Sequence, residues 1–325
     1  MREILVLGET DVEKLLDPAG CRAAVEGALV AIARGEVHLP LRSMVRPPGD
    51  ESLIGLMPTH RGGEKRMYGL KTVVVVPSNS ARGLDPHQGT VTLFDGETGQ
   101  TIAVVNASPI TAIRTAAASA LATRELARED VHVLAIVGAG FQAKAHLRAL
   151  AEVREFDDIR IASRTLGKAE ALAGEHPAAQ ATDSIEDAVR GSDVVVTVTS
   201  SAEPVIDRAW IADGTHINAV GACFPHTREL DAATVRDSTF FVDSRESAVN
   251  ESGDYLIAVA EGAIGEEHIA AELGDVLVGT HPGRTSPEEI TVFESLGIAV
   301  EDLFAAEYVV AQAREAGRGQ AVAFA

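Results

Sequence analysis

Cysteine is nearly missing from this chain: Cys21 and Cys223 are the two thiols among 325 residues, far apart and in no C-x-x-C or His-flanked arrangement. A disulfide framework and a zinc site of ordinary spacing are therefore not suggested, no metal is expected, and a reducing cytoplasm suits the composition. Basic residues are also short, 28 against 48 acidic, for a formal charge of −20 at pH 7. Phosphate-rich partners need a basic face, so neither a nucleic acid nor an anionic membrane is expected, and any anionic ligand must find a local cationic pocket. A high-salt habitat and plain solubility both account for the acidic surplus. There is no apolar run of membrane length either, and Arg2, Glu3, Glu9, Asp11, Glu13 and Lys14 interrupt the opening residues. Internal repeats, low-complexity tracts and long linkers are absent. What the chain has is 46% hydrophobic residues, enough at this length for two domains with real cores.

The stretch with the strongest pattern is Val131-His-Val-Leu-Ala-Ile-Val-Gly-Ala-Gly-Phe-Gln-Ala-Lys-Ala-His-Leu147, a hydrophobic strand running straight into G-x-G-x-x-A and an Ala-rich helix. This is the form of a dinucleotide-binding turn. Gly138 allows the tight turn, Gly140 lacks the Cβ that would strike a pyrophosphate, and Ala143 lets the helix pack closely on the strand. The helix N-terminus then presents free N–H groups to the phosphates. Further strands are expected at Ile159–Ser163, Asp193–Val198, His216–Val220 and Thr239–Asp243, alternating with helical patterns, so the fold class is α/β with a doubly wound parallel sheet. At the end of the second strand, where an Asp or Glu would accept from both ribose hydroxyls of NAD, the chain reads Ser163-Arg164-Thr165. A guanidinium between two hydroxyls suits a 2′-phosphate, which favours NADP while leaving NAD possible; the competing reading is that Arg164 is a solvated surface residue.

Before this turn lies an α+β unit without a nucleotide motif. A strand is expected in Met1–Thr10. Asp17-Pro18 then reads as N-cap and first helical residue, and Cys21, Val25, Ala28, Leu29 and Ile32 share one helical face up to Gly35. Residues 36–48 form an extended stretch with His38, Pro40, Arg42 and Arg46. Strands are expected at Ser52–Met57, Met67–Val76 and Thr90–Phe94, in an antiparallel or mixed sheet. An Ala-rich helix over Ala107–Arg128, opened by Ser108-Pro109, leads into the dinucleotide strand. The tail offers two helical patterns, Pro287–Leu296 and, after Gly297, Val300–Gly317. A last helix returning to the first domain would make that domain discontinuous.

Lys71 sits in Tyr68-Gly-Leu-Lys-Thr-Val-Val-Val-Val-Pro77, a strand apolar enough to be buried, where an ammonium is costly unless an anion meets it. Arg42 follows Pro40-Leu41, and Arg114 lies on the Ala-rich helix. Three such cations could clamp a carboxylate, each Arg doing so bidentately. Alternatively, each pairs with one of the many acidic side chains.

Several segments occur in one order along the chain: Gly69-Leu-Lys71, Pro77-Ser-Asn79, Thr111-Ala-Ile-Arg-Thr-Ala116, Gly138-Ala-Gly-Phe-Gln-Ala143, Asn218-Ala-Val-Gly-Ala222, Arg228-Glu-Leu230, and Gly283-Arg-Thr-Ser286 through Phe293-Glu-Ser-Leu-Gly297. Together they closely resemble the ornithine cyclodeaminase/mu-crystallin family. The resemblance implies a substrate-binding and dimerisation domain at residues 1–115, completed by about 305–325, around a Rossmann domain at 116–304. It implies a homodimer built through the first domain, with the active site between the domains. It implies that Arg42, Lys71 and Arg114 hold a substrate carboxylate near the nicotinamide, Lys71 also giving or taking a proton. Cofactor contacts are implied for Gly138, Gly140, Phe141, Gln142, Ala143, Ser163, Arg164, Thr165, Thr111 and Val220.

One departure bears on the reaction. Where ornithine cyclodeaminases carry an Asp for the distal amino group of the substrate, this chain reads Gly221-Ala-Cys-Phe-Pro225. The ketimine reductases of the family also lack that Asp and carry an Asn/Ser-Arg-Thr run at the second strand, as here. The expected activity is therefore NAD(P)H-dependent reduction of the C=N bond of a small imino acid, a ketimine or pyrroline-2-carboxylate, or amino-acid dehydrogenation as in alanine dehydrogenases. The alternatives are ornithine cyclisation to proline and ammonia with catalytic NAD+, and a non-catalytic NADPH-binding protein. Cys223 is read as a small residue lining the pocket, since no base accompanies it and the chemistry needs no nucleophile.

Overall fold

The computed structural model describes residues 3–324 apart from the side chain of Ser80; Met1, Arg2 and Ala325, which the expected first strand and domain limits included, lie outside the described residues. In chain order the strands are β1 (Glu3–Leu7), β2 (Val37–His38), β3 (Ser43–Val45), β4 (Leu53–Arg61), β5 (Met67–Val75), β6 (His87–Asp95), β7 (Thr101–Asn106), β8 (Val133–Val137), β9 (Asp158–Ala162), β10 (Ala179–Thr182), β11 (Val194–Thr197), β12 (His216–Ala219), β13 (Thr239–Val242), β14 (Ile269–Glu272), β15 (Thr291–Glu294) and β16 (Gln320–Ala323). The chain divides into two compact units, Met1–Arg114 with Ile298–Ala325, and Thr115–Gly297.

The first unit is built on a mixed sheet in the order β16-β1-β7-β6-β5-β4-β2, with β3 beside β4. Only the β1–β7 pair among its described ladders is parallel. Two helices cover one face. The first, Pro18–Ala33, is capped by Asp17, whose side chain accepts the Gly20 N–H at 2.8 Å, and buries Cys21, Val25, Ala28 and Leu29. It packs on the helix Ala299–Ala316, which in turn lies over β4, β5 and β6. Close approach is written into the glycines: a Cβ on Gly69 of β5 would stand 2.9 Å from a Leu303 methyl. Arg61 of β4 fastens the same helix with a bidentate bond to Glu307 at 2.5 and 2.9 Å, its guanidinium 4.9 Å from the Phe304 ring centre. The helix ends at Gly317, whose φ of +60° is the left-handed conformation in which glycine needs no strain. β7, β16 and the short β2 and β3 were not foreseen in the sequence, the last two falling inside the stretch read as extended.

The second unit is an eight-stranded sheet in the order β10-β9-β8-β11-β12-β15-β13-β14, and every ladder described in it is parallel. Alternate residues of the central strands feed two apolar layers: Leu134, Ile136, Val194 and Val196 face one, and Ala135, Val137, Val195 and Ile217 the other. Both faces are covered, as parallel sheets require. The chain leaves β8 toward β9 on one side and crosses to β11 on the other, so the switch point of this doubly wound sheet lies beside the end of β8. The expected helix at Pro287–Leu296 is not formed. Pro287, Glu288 and Glu289 mimic a helix start, but Thr291-Val-Phe-Glu294 runs as β15 in mid-sheet, each residue buried. β-Branched and aromatic side chains with both faces buried decided for strand over the helical spacing. Among the described residues no helix is long and apolar enough to cross a membrane.

Candidate active site

In the first unit, β5 turns Gly69, Lys71 and Val73 inward. The ladder neighbours of Lys71 are Met57 and Val91, both buried, so its ammonium rises between apolar walls and is itself 3% exposed. The anion that this burial demands comes from the last helix. Lys71 Nζ donates to Asp302 Oδ1 at 3.1 Å, and Arg114 Nε donates to the same oxygen at 3.0 Å. Arg114 also donates through a terminal nitrogen to Glu301 Oε2 at 2.8 Å. The absence of a side chain at Gly69 is what lets Leu303 seat on β5 and brings the preceding Asp302 within reach. Burial pushes the Lys71 ammonium down from its ordinary value to about 8; the Asp302 charge and hydrogen bond oppose this, while the positive charges of Arg114 and Arg42 add to it. The three expected cations thus share one electrostatic neighbourhood, and Lys71 and Arg114 are paired with acids, as the competing reading has it. Thr111, also in the first unit, turns its hydroxyl to the Ala107 carbonyl at 2.7 Å.

Glu301 and Asp302 were missed in the sequence. Their signal is two adjacent acids inside the apolar run Ile298-Ala-Val-Glu-Asp-Leu303, buried at 0% and 1% exposure. Such a pair on a core helix face requires cationic partners, and Lys71 and Arg114 were the buried-looking candidates.

In the second unit, Gly138 leaves β8 with φ +129°, and a Cβ there would lie 2.7 Å from the Val198 carbonyl oxygen. Glycine is obligatory in that place. Gly140 differs: a Cβ on it would meet nothing within 4 Å, so its bareness serves no contact inside the protein. Gly140 is the N-cap of the helix Phe141–Leu150 and supplies no side-chain cap, leaving first-turn N–H groups to face this open space. That is a cradle for a phosphate, and the dinucleotide fits the residues present. Ala143 is buried against the sheet, Phe141 is 49% exposed at the mouth of the turn, and Gln142 gives its carbonyl to buried His146 at 2.8 Å. His146, kept neutral by a burial that takes it to about 4, bonds Ser119 at 2.9 Å on its other nitrogen. The Gly138 N–H donates to the Ala162 carbonyl at 2.8 Å, which sets Ser163-Arg164-Thr165 beside the glycine turn. Arg164 and Thr165 are exposed there. Val220, just past β12, donates its N–H to the Thr197 carbonyl at 3.0 Å. Cys223, half-buried in the following loop, packs against the apolar layer beneath β12. Among the described residues no group of three or more His, Cys, Asp and Glu is arranged to hold a metal ion.

The sequence model of the ornithine cyclodeaminase/mu-crystallin family matches residues 2–317. The chain belongs to that family. It is 39% identical over 289 residues to the ketimine reductase mu-crystallin of Mus musculus, covering 88% of this chain and 89% of that one. The structure of the Δ1-pyrroline-2-carboxylate reductase of Thermococcus litoralis, in complex with NADH and L-proline, superposes with a TM-score of 0.95 at 36% identity, covering 98% of this chain and 100% of that one. An archaeal alanine dehydrogenase dimer with bound NAD superposes with a TM-score of 0.93 at 33% identity over the full length of both. Within the ornithine cyclodeaminase/mu-crystallin family, the chain's α/β fold is therefore shared with dinucleotide-bound relatives acting on imino and amino acids.

Proposed function

We propose that the chain reduces the C=N bond of a small α-imino acid, such as the cyclic pyrroline-2-carboxylate, to the corresponding amino acid with NADPH. The observation that carries this is the buried Lys71–Asp302–Arg114 cluster. An ammonium whose burial brings it to about 8 holds a transferable proton near neutral pH, where a general acid works best. Nζ has three hydrogens and gives one to Asp302, leaving others for a substrate. Lys71, Arg114 and Arg42 receive the substrate carboxylate and fix the imine carbon for attack. Gly138, Gly140 and Ala143 would hold a reduced dinucleotide, whose chemistry when bound would be donation of a hydride. Lys71 gives a proton to the imine nitrogen, so that C=N becomes CH–NH and the lysine is left as the free amine until solvent reprotonates it. Asp302 orients Lys71 and Arg114 from one oxygen.

NADP preference is inferred from Arg164, exposed beside the glycine turn. A homodimer through the first unit is inferred from Met44, Val45, Tyr68 and Val74, large apolar side chains exposed on β3 and β5. Cys223 in place of a carboxylate favours an imine reductase over a cyclodeaminase, because a packed thiol cannot hold a distal amino group. The test is absorbance of reduced nicotinamide with pyrroline-2-carboxylate, with pyruvate plus ammonia, and with ornithine. Oxidation of the cofactor by an imino acid is expected. Release of ammonia and proline from ornithine without net cofactor turnover would overturn the assignment.

A further inference from the structure

Glu229 takes no part in the chemistry above, yet it is fully buried at 0% exposure and its carboxylate is divided between two loops. Oε1 accepts the N–H of Thr199 and Oε2 that of Gly221, each at 2.6 Å. Thr199 stands two residues past the end of β11 and Gly221 two past the end of β12. These are the carboxyl-end loops on the side of β8 away from β9. In a doubly wound sheet the half containing β8 and β9 takes the adenosine, and the half beyond the switch point takes the nicotinamide mononucleotide.

The clamp is tight on both sides. A Cβ on Gly221 would stand 2.1 Å from the Thr199 carbonyl oxygen and 2.6 Å from the Glu229 carboxyl carbon, so no side chain fits between the loops. Behind it, Asp254 Oδ1 accepts the N–H groups of Glu229 and Leu230 at 2.8 and 2.9 Å, and Arg228 Nε donates to the Leu230 carbonyl at 2.9 Å. The side chain that spans the loops is therefore itself held from the backbone.

We propose that Glu229 is a positioning residue for the nicotinamide half of the cofactor: its two carboxylate oxygens set the separation of the loops after β11 and β12. This rests on the dinucleotide reading of the second unit. The geometry calls for a carboxylate in particular. Two backbone donors need two acceptors, whereas an amide offers one oxygen and must set its NH2 against the other N–H. A buried donor left facing a donor forces the loops apart.

The experiment compares binding of NADPH and NADH with binding of ADP-ribose, which keeps the pyrophosphate but lacks the nicotinamide, to the native chain and to Glu229→Gln. The variant should lose roughly tenfold or more in affinity for the whole dinucleotides, the scale of one lost charge-assisted hydrogen bond, and less than about twofold for ADP-ribose. Gly221→Ala, which prises the loops apart from the other side, should show the same selective loss and serves if Glu229→Gln does not fold. Equal losses for dinucleotide and ADP-ribose, or no loss for either, would overturn the proposal. A native chain that bound neither nucleotide would instead overturn the dinucleotide reading itself.

Discussion

Lys71 on β5 and Asp302 on the last helix meet at 3.1 Å although 231 positions of sequence separate them. Arg114 shares the same Asp302 oxygen, so removing any one of the three leaves a buried charge with an altered partner.

Lys71→Met keeps much of the length and the apolar stem and leaves Asp302 its bond to Arg114. The variant should fold with a lowered melting temperature, while imine reduction falls by about two to four orders of magnitude, the contribution of a positioned general acid. Circular dichroism and steady-state kinetics decide it: a folded variant with near-native turnover would remove Lys71 from the mechanism.

The pH dependence follows from the same lysine. Its folded value of about 8 lies below its ordinary 10.5, so reduction by the proposed mechanism, in which the Lys71 ammonium gives the proton, should decline as pH rises through about 8. Oxidation of the amino acid needs the free amine and should rise over the same interval. For stability the sign is opposite to that of a favourably paired cation. Between about 8 and 10.5 the unfolded chain binds the extra proton, so this group's contribution makes the fold more stable as pH rises. Across that window the native protein should gain melting temperature relative to Lys71→Met, so the gap between the two should widen toward the alkaline end. Asp302→Asn, which removes the charge that supports the ammonium, should move the fall in reduction to lower pH.

The two glycines of the turn should separate folding from binding. Gly140→Val enters open space in the protein and should leave the melting temperature nearly unchanged while abolishing binding of NADPH and NADH alike. Gly138→Ala combines a positive φ with a clash against Val198 and should destabilise the unit itself, by about 1 kcal/mol or more. A Gly140→Val protein that still bound dinucleotide would remove the phosphate from that cradle.

Arg164→Ala should weaken NADPH binding by tenfold or more, roughly one charged hydrogen bond, and NADH binding far less, since only NADPH has a 2′-phosphate to lose. Equal losses measured by fluorescence titration would return Arg164 to the solvated surface.

Much of the second unit was legible because its signals are local. A strand, two glycines and a helix within seventeen residues carry the nucleotide turn, and β9, β11, β12 and β13 each show a compact apolar run. β15 was not legible, since its four buried residues follow a Pro-Glu-Glu start that suits a helix equally well. In the first unit, Lys71 stood out as a charge in an apolar strand, but its counterion could not be assigned from spacing. Glu301 and Asp302 are brought to it by tertiary packing through a glycine, a relation with no sequence periodicity. Glu229 lay inside a recognised motif without a visible reason, because the donors that reach its two oxygens at 2.6 Å are backbone N–H groups, which carry no side-chain signature.

The placement of the last helix has a consequence for synthesis. Residues 115–297 form an uninterrupted unit that can fold as soon as it has left the ribosome, whereas the first 114 residues must wait for Ile298 onward to cover β4, β5 and β6. Until then Lys71 and Arg114 face an uncovered sheet without Glu301 and Asp302. A nascent chain stalled before residue 298 should therefore carry a protease-resistant nucleotide unit behind a protease-sensitive leading segment.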